Sequence, residues 1–289
     1  MKKFVKILSI ILCIAFCLTF LGCETEKPCA HYYGDWQSDG INHYRQCECG
    51  DKTSISPHVG GTATHEKKAV CDVCLLSYGE RIASEGLSFE LDGDQYTLVG
   101  LGDCVDQIVV VPATYQDKKV TKIARWAFYN DMITEIALPN TITTIEDEAF
   151  YGCYSLKKVE LGNNIKTIGK WAFQGCDTLA NINLPDSIEI IDDWAFDGCR
   201  KLVGLTLPKN LKRIGNFAFY NCSSLTSLTF YGKLNYIGEE AFARCTKVAS
   251  ITYYGSQENW KAIQKGNDWN QWITKATSVL CVYGSVNIK

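Results

Sequence analysis

After position 65 the chain has no histidine; all four, His31, His43, His58 and His65, stand before that point. Nucleophilic triads need a His or an equivalent base. No Gly-x-Ser-x-Gly, Gly-x-x-x-x-Gly-Lys or His-Glu-x-x-His element is present either. The chain is therefore read as a non-enzyme, with no catalytic residue assigned. Basic residues are not in excess: 29 Lys and Arg stand against 32 Asp and Glu. Phosphate binding needs a basic footprint, so nucleic acid is excluded as a partner. Beyond the N-terminus no apolar run approaches the ~20 residues that a bilayer span needs.

What the chain has instead is a repeat. The pair Ala-Phe recurs at Ala127-Phe128, Ala149-Phe150, Ala172-Phe173, Ala195-Phe196, Ala218-Phe219 and Ala241-Phe242, in steps of 22 and then 23 residues. Cys153, Cys176, Cys199, Cys222 and Cys245 each follow a Phe by three positions. A fixed period in the twenties marks a solenoid, because each unit is too small to bury its own apolar face. Within one unit, Ile182 and Leu184 alternate with Asn181 and Asn183, the two-residue period of a half-buried strand. Pro185 ends that strand. Ile188 and Ile191 turn the chain inward, and Ala195, Phe196 and Cys199 suggest a short helical or 3₁₀ return. Strand centres are expected at Ile136, Val159, Ile182, Leu205, Leu228 and Ile251. The ladder cysteines are read as buried, inert and unbridged. Equivalent positions on stacked strands lie about 4.8 Å apart and point the same way, whereas a disulfide needs converging Cβ atoms.

The run Ile165 to Pro185 resembles the repeat of the BspA-type (Treponema pallidum-type) leucine-rich-repeat family, Ile-x-x-Ile-Gly-x-x-Ala-Phe-x-x-Cys-x-x-Leu-x-x-Ile-x-Leu-Pro. The resemblance extends over roughly residues 87–284. It departs in the first turn, which is one residue short near Asp131 and lacks the Cys. It departs also at Gly162, Tyr231 and Tyr254, which replace the closing Pro. It implies an α/β solenoid: a leucine-rich-repeat stack with one parallel β-sheet, capped at both ends and preceded by a small Cys/His-rich module. Members of the family are described as adhesin-like surface proteins, which implies a binding role.

Both ends suit capping. Residues 81–123 read as an N-terminal cap with a degenerate first repeat. The alternation around Asp92-Gly93 signals a hairpin, and Val109 to Pro112 resembles a strand. Residues 124–254 hold the repeats. Residues 255–289 read as the C-terminal cap: Ser256 suits a helix N-cap, and Trp260, Ile263, Trp269 and Trp272 are expected to close the core. Val279 to Val282 reads as a last strand.

Residues 1–22 read as a signal peptide, with Lys2, Lys3 and Lys6 before an apolar run that ends at Leu21. The end Phe20-Leu21-Gly22-Cys23 resembles a bacterial lipobox, although Phe20 and Leu21 depart from the usual residues. That resemblance implies lipidation of Cys23 and anchoring on the outer face of the bacterial cell membrane. A simple cleaved signal or an uncleaved anchor is the other reading. Cleavage removes three Lys and no acid, so the formal charge falls from −3 to −6.

Residues 23–80 are rich in Cys and His and too short to bury a good core, so they need a staple. Cys29, His31, His43, Cys47, Cys49, His58, Cys71 and Cys74 are candidate ligands of a structural zinc, which favours tetrahedral sites built from close ligand pairs. Disulfides are the alternative. The spacing Cys47-x-Cys49 is short for a zinc knuckle, and the odd cysteine count sits awkwardly with full pairing.

Candidate binding residues are those expected to point outward from the sheet: Glu135, Lys158, Glu160, Asn181, Asn183, Thr206, Ser227, Thr229, Ser250 and Thr252. A second candidate surface is the row Trp126, Trp171, Trp194 and Phe217, expected on the convex side and read mainly as packing. The function read from these features is a cell-surface binding module that engages an extracellular protein or glycan. A cell-envelope scaffold without a dedicated ligand and a zinc-dependent role for the N-terminal module are the alternatives.

Overall fold

The structure, a computed structural model, describes residues 81–288 and, before them, the strand segments 33–38, 42–47, 52–57, 69–70 and 77–78. The chain divides into two compact units, Met1–Gly61 with Val70–Tyr78, and Thr62–Ala69 with Gly79–Lys289. In the first unit Tyr33–Ser38, Asn42–Cys47 and Lys52–Pro57 form an antiparallel sheet. His43 and Cys47 lie on its middle strand, and their side chains are not described. Cys23, Cys29, His31, Cys49, His58, Cys71 and Cys74 lie outside the described residues, so the lipidation and zinc readings do too.

The second unit is a parallel β-solenoid. Its front sheet begins with Ile108–Val110, Glu135–Ala137, Lys158–Glu160 and Asn181–Ile182, paired in parallel and in order. It resumes with Gly204–Thr206, Ser227–Tyr231, Ser250–Tyr254 and Ser278–Cys281. All six expected strand centres lie in these strands and are buried. A second parallel ladder runs along an adjacent side. It passes through Lys118–Ile123, Thr144–Ile145, Thr167–Ile168, Ile190–Ile191, Arg213–Ile214, Tyr236–Ile237 and Gln264–Lys265. In the sequence Ile188 and Ile191 show only an inward turn. Two-residue strands are too short to display an alternation, and only stacking reveals them.

The return carrying Ala, Phe and Cys is a run of turns, not the short helix or 3₁₀ segment expected. Its amides alternate between two destinations. Those of Ala172, Gln174 and Cys176 donate back within the turn, to Gly169, Trp171 and Phe173. Those of Trp171, Phe173 and Gly175 donate to the carbonyls of Asp193, Ala195 and Asp197 in the next repeat. A helix would send every amide back along its own axis and leave successive turns unlinked. The alternation requires left-handed backbone at two slots per turn. The residue before Ala adopts it at Trp126, Glu148, Trp171, Trp194, Phe217 and Glu240. The residue three after Ala adopts it at Asn130, Gly152, Gly175, Gly198, Asn221 and Arg244.

The interior is columnar. Phe128, Phe150, Phe173, Phe196, Phe219 and Phe242 are fully buried and stack with centroids 4.9–5.2 Å apart. The five ladder cysteines are buried and free. Each Sγ donates to the carbonyl of the Phe one repeat back, as Cys199 does to Phe173 at 3.3 Å. That carbonyl already accepts from the amide of Cys176. The thiol thus supplies a second donor to a buried acceptor. In the first turn Asp131 takes the place of Cys, and burial pushes its carboxyl pKa up.

Both caps form. Ser88–Asp92 and Gln95–Gly100 make the expected hairpin, with Gly93 at φ 66°, and Gln95–Gly100 starts the second ladder. At the other end Ser256 accepts from the Asn259 amide and caps the helix Gln257–Ala262. Trp260, Ile263 and Trp269 close the core as expected, but Trp272 is 59% exposed. Asp268 to Ile273 repeats the solenoid turn, since Phe242 and Arg244 donate to the carbonyls of Trp269 and Gln271. This places Trp269 in the Ala slot, facing in, and Trp272 in the left-handed slot of Gly198, facing out.

Candidate binding face

None of the ten residues expected to point outward from the front sheet is buried. They fall into three groups. Glu135, Lys158 and Glu160 lie on the first strands, and their charges are paired among themselves. Lys158 reaches Glu160 at 2.6 Å and Glu135 at 4.0 Å, and Arg81 reaches Glu160 at 2.7 Å. The charge of this end of the sheet is therefore largely neutralised by local pairing. Ser227, Thr229, Ser250 and Thr252 lie in register on two fully paired strands and form a flat neutral surface.

The third group sits where the sheet opens. Lys158 pairs with Asn181, and Gly204 pairs with Ser227, but no ladder pair joins Asn181–Ile182 to Gly204–Thr206 among the described residues. The second ladder is continuous behind this point, from Thr167–Ile168 through Ile190–Ile191 to Arg213–Ile214. The opening is thus confined to the front side, and one backbone bond, from the Val203 amide to the Ala180 carbonyl at 3.1 Å, still joins the two repeats beside it. A concavity of about 430 Å³ lies there, lined by Asn181, Asn183 and Thr206 together with Gly204, Asp186 and Tyr231. Asn181, Asn183 and Thr206 are all exposed. Lys209 pairs with Asp186 at 3.0 Å and lies 5.9 Å from the Tyr231 ring centroid, so it forms a rim. The Lys209 amide and ammonium hold the Asp186 carboxyl below its ordinary pKa, and the carboxylate raises that of Lys209.

Gly204 leaves part of the lining without a side chain. The equivalent slot holds Lys158, Asn181, Ser227 and Ser250 in other repeats. A Cβ at Gly204 would meet nothing within 4 Å, so close packing does not demand glycine here. Strand parity does not mark Gly204, Asp186 or Lys209 as site residues, and Tyr231 shows in the sequence only as a replacement of the closing Pro. The available signal was a glycine inside a strand pattern, which marks a local departure from regular pairing.

Of the aromatic row on the turn side, Trp126, Trp194 and Phe217 make cross-repeat contacts. Trp194 stacks on Phe217 at 4.0 Å. Trp126 donates its Nε1 to Glu148 at 2.6 Å, under the Arg125 guanidinium 4.2 Å from its ring. The Trp126 bond is the main reason why the Glu148 carboxyl is held below its ordinary pKa. These contacts join neighbouring repeats and hold bulky residues in left-handed backbone, which is unfavourable for them.

Residues 121–249 match the family described as BspA type leucine rich repeat region, in six copies. No curated protein matches the chain. Among solved structures the chain is similar to a leucine rich repeat protein of T. pallidum, at 24% identity and a TM-score of 0.57, covering 65% of this chain and 86% of the other. It is similar also to a leucine-rich repeat protein from Bacteroides ovatus, at 28% identity and a TM-score of 0.52, covering 61% of this chain and 47% of the other. A third similarity is to a leucine rich cell surface protein from Faecalibacterium prausnitzii, at 27% identity and a TM-score of 0.48, covering 60% of this chain and 54% of the other. The chain thus spans about half the length of the second and third proteins.

Proposed function

We propose that the chain is an exported surface module that binds an extracellular protein or glycan through its front sheet, and that lipidation of Cys23 holds it on the bacterial membrane. The observation that carries the binding reading is the opening between Asn181–Ile182 and Gly204–Thr206. It gathers amide and hydroxyl side chains beside an aromatic ring on an otherwise flat sheet. Amides and hydroxyls both donate and accept, and a rigid parallel platform holds them without the ordering cost that a loop would bring. The six-copy family match and the solenoid fold support a binding role over catalysis.

The test is retention of surface or host-derived glycoproteins by the full chain and by the double variant Asn183→Arg with Thr206→Arg. Both side chains are exposed and carry no core packing, so the melting temperature should hardly move; exposed substitutions usually stay within ~0.5 kcal/mol. Retention should be lost in the variant. Trp171→Ala and Trp194→Ala should lower stability and leave retention intact in the folded fraction. Equal retention by wild type and the double variant would remove the sheet face from the account and favour a scaffold without a ligand there.

A further inference from the structure

A second concavity, of about 360 Å³, lies on the turn side, away from the front sheet. Its lining runs from Tyr151 and Tyr154 through Gly175 and Gly198 to Tyr220 and Asn221. Gly152, Gly175 and Gly198 hold the left-handed slot at φ 71°, 74° and 74°. The backbone alone does not require glycine there, because Asn130, Asn221 and Arg244 adopt φ 58°, 57° and 61° in the same slot of other repeats. What glycine supplies is room. A Cβ at Gly198 would meet only the backbone of Gly175, at 3.7 and 3.8 Å, which is ordinary contact. Gly175 and Gly198 thus line the trough without a side chain, whereas at Gly152 the Asn130 side chain already takes the place a Cβ would occupy.

Tyrosine rings stand at its ends. Tyr154 is 57% exposed and lies along Gly152 and Gly175, whose added Cβ atoms would each come 3.6 Å from its ring. Tyr220 packs edge-on to Phe217 at 5.7 Å, with the Arg244 guanidinium 5.3 Å from its centroid. Between them lie two polar pairs. Gln174 donates to Asp197, and Arg200 donates to Asp177 at 3.1 Å. A carboxylate has two oxygens and about four acceptor sites, and a guanidinium has five N–H groups. Each pair therefore keeps hydrogen-bonding capacity for a ligand. Burial pushes the Asp197 carboxyl pKa up, the mark of a partly dried floor where a hydrogen bond is stronger than in water.

We infer that this trough binds a neutral oligosaccharide, stacking a sugar ring on Tyr154 and bonding its hydroxyls to Gln174, Asp197 and Arg200. The negative face of an aromatic ring attracts the polarised C–H bonds on one face of a pyranose. A hydroxyl donates to a carboxylate and accepts from a guanidinium at once, which suits two adjoining donor–acceptor pairs. Among the lining residues two carboxylates, Asp177 and Asp197, stand against the one guanidinium of Arg200, so an anionic ligand is disfavoured. The volume falls within the ~300–1,000 Å³ of small-ligand sites.

The test uses the full chain with cellotetraose and tetra-N-acetylchitotetraose, and with a sulfated oligosaccharide for contrast, read by saturation-transfer NMR and calorimetry. Wild type should bind at least one neutral tetrasaccharide and bind it better than the sulfated one. Gly198→Asn fills the trough with a residue that this backbone slot already accepts elsewhere. It should weaken binding by at least about tenfold without lowering the melting temperature. Tyr154→Ala should weaken it by about tenfold as well. Asn183→Arg with Thr206→Arg should leave sugar binding unchanged, which separates this site from the sheet face. The inference is overturned if neither neutral sugar binds wild type at tens of millimolar. Binding that survives Gly198→Asn, tighter binding of the sulfated sugar, or loss of binding in the sheet-face variant would overturn it equally.

Discussion

Raising the pH from about 9 to about 10 should remove about 5 kcal/mol from the stability of the solenoid. The cause is the cysteine column. An ordinary thiol titrates at 9.0, but burial pushes Cys153 and Cys245 to about 12, and Cys176, Cys199 and Cys222 are also driven well up. Above pH 9 the unfolded chain therefore releases protons that the folded chain keeps. Stability is fully present below the unfolded pKa and falls as pH rises towards the folded values. Each thiol contributes about 1 kcal/mol of loss over that single pH unit, and there are five. Domains are commonly stable by only ~5–15 kcal/mol, so the loss is a large share of the total. Lys265, whose pKa burial lowers, acts in the opposite sense but is a single group. Urea titrations in reductant from about pH 8 to about pH 10 would measure the slope, and Cys199→Ala should reduce the loss by about 1 kcal/mol. A midpoint indifferent to pH would mean that the thiols are not buried as a column.

Phe196→Ala should destabilise the fold by about 3–5 kcal/mol. Phe196 is fully buried, with Phe173 and Phe219 stacked on its two faces at 5.1 Å each. Neither neighbour can collapse into the gap, because the backbone of each turn is hydrogen-bonded to the next; Phe196 itself donates its amide to Ala218. Chemical denaturation would read the loss, and a change under ~0.5 kcal/mol would show that the column is not the core of the stack.

The front sheet, the buried Phe and Cys columns and the capping helix were legible in the sequence because each leaves a periodic or local mark. Ile182 and Leu184 alternate with Asn181 and Asn183, Cys follows Phe at fixed distance, and Ser256 precedes a helical run. The second ladder was hidden because Ile190–Ile191 is only two residues long. The turn conformation was hidden for another reason. Trp, Glu and Phe are poor candidates for left-handed backbone, and only the alternating hydrogen bonds to the next repeat explain their presence there. Trp272 was misplaced because a degenerate turn was read as generic apolar capping. Of the binding residues, Asn181, Asn183 and Thr206 were chosen by strand parity alone. That they line one opening shows only in the missing ladder pair between their strands, which parity does not reveal.

The binding account rests on the claim that the front sheet is open between Asn181–Ile182 and Gly204–Thr206 while the ladder behind it is closed. Native-state hydrogen exchange across the repeats tests this directly. Peptides covering 181–184 and 204–207 should exchange at least about tenfold faster than those covering 158–160 and 227–229, as expected where ladder hydrogen bonds worth ~0.5–1.5 kcal/mol each are missing. Peptides covering 190–191 and 213–214 should stay as protected as the rest of the second ladder. Uniform protection along the whole front sheet would contradict the opening and with it the site.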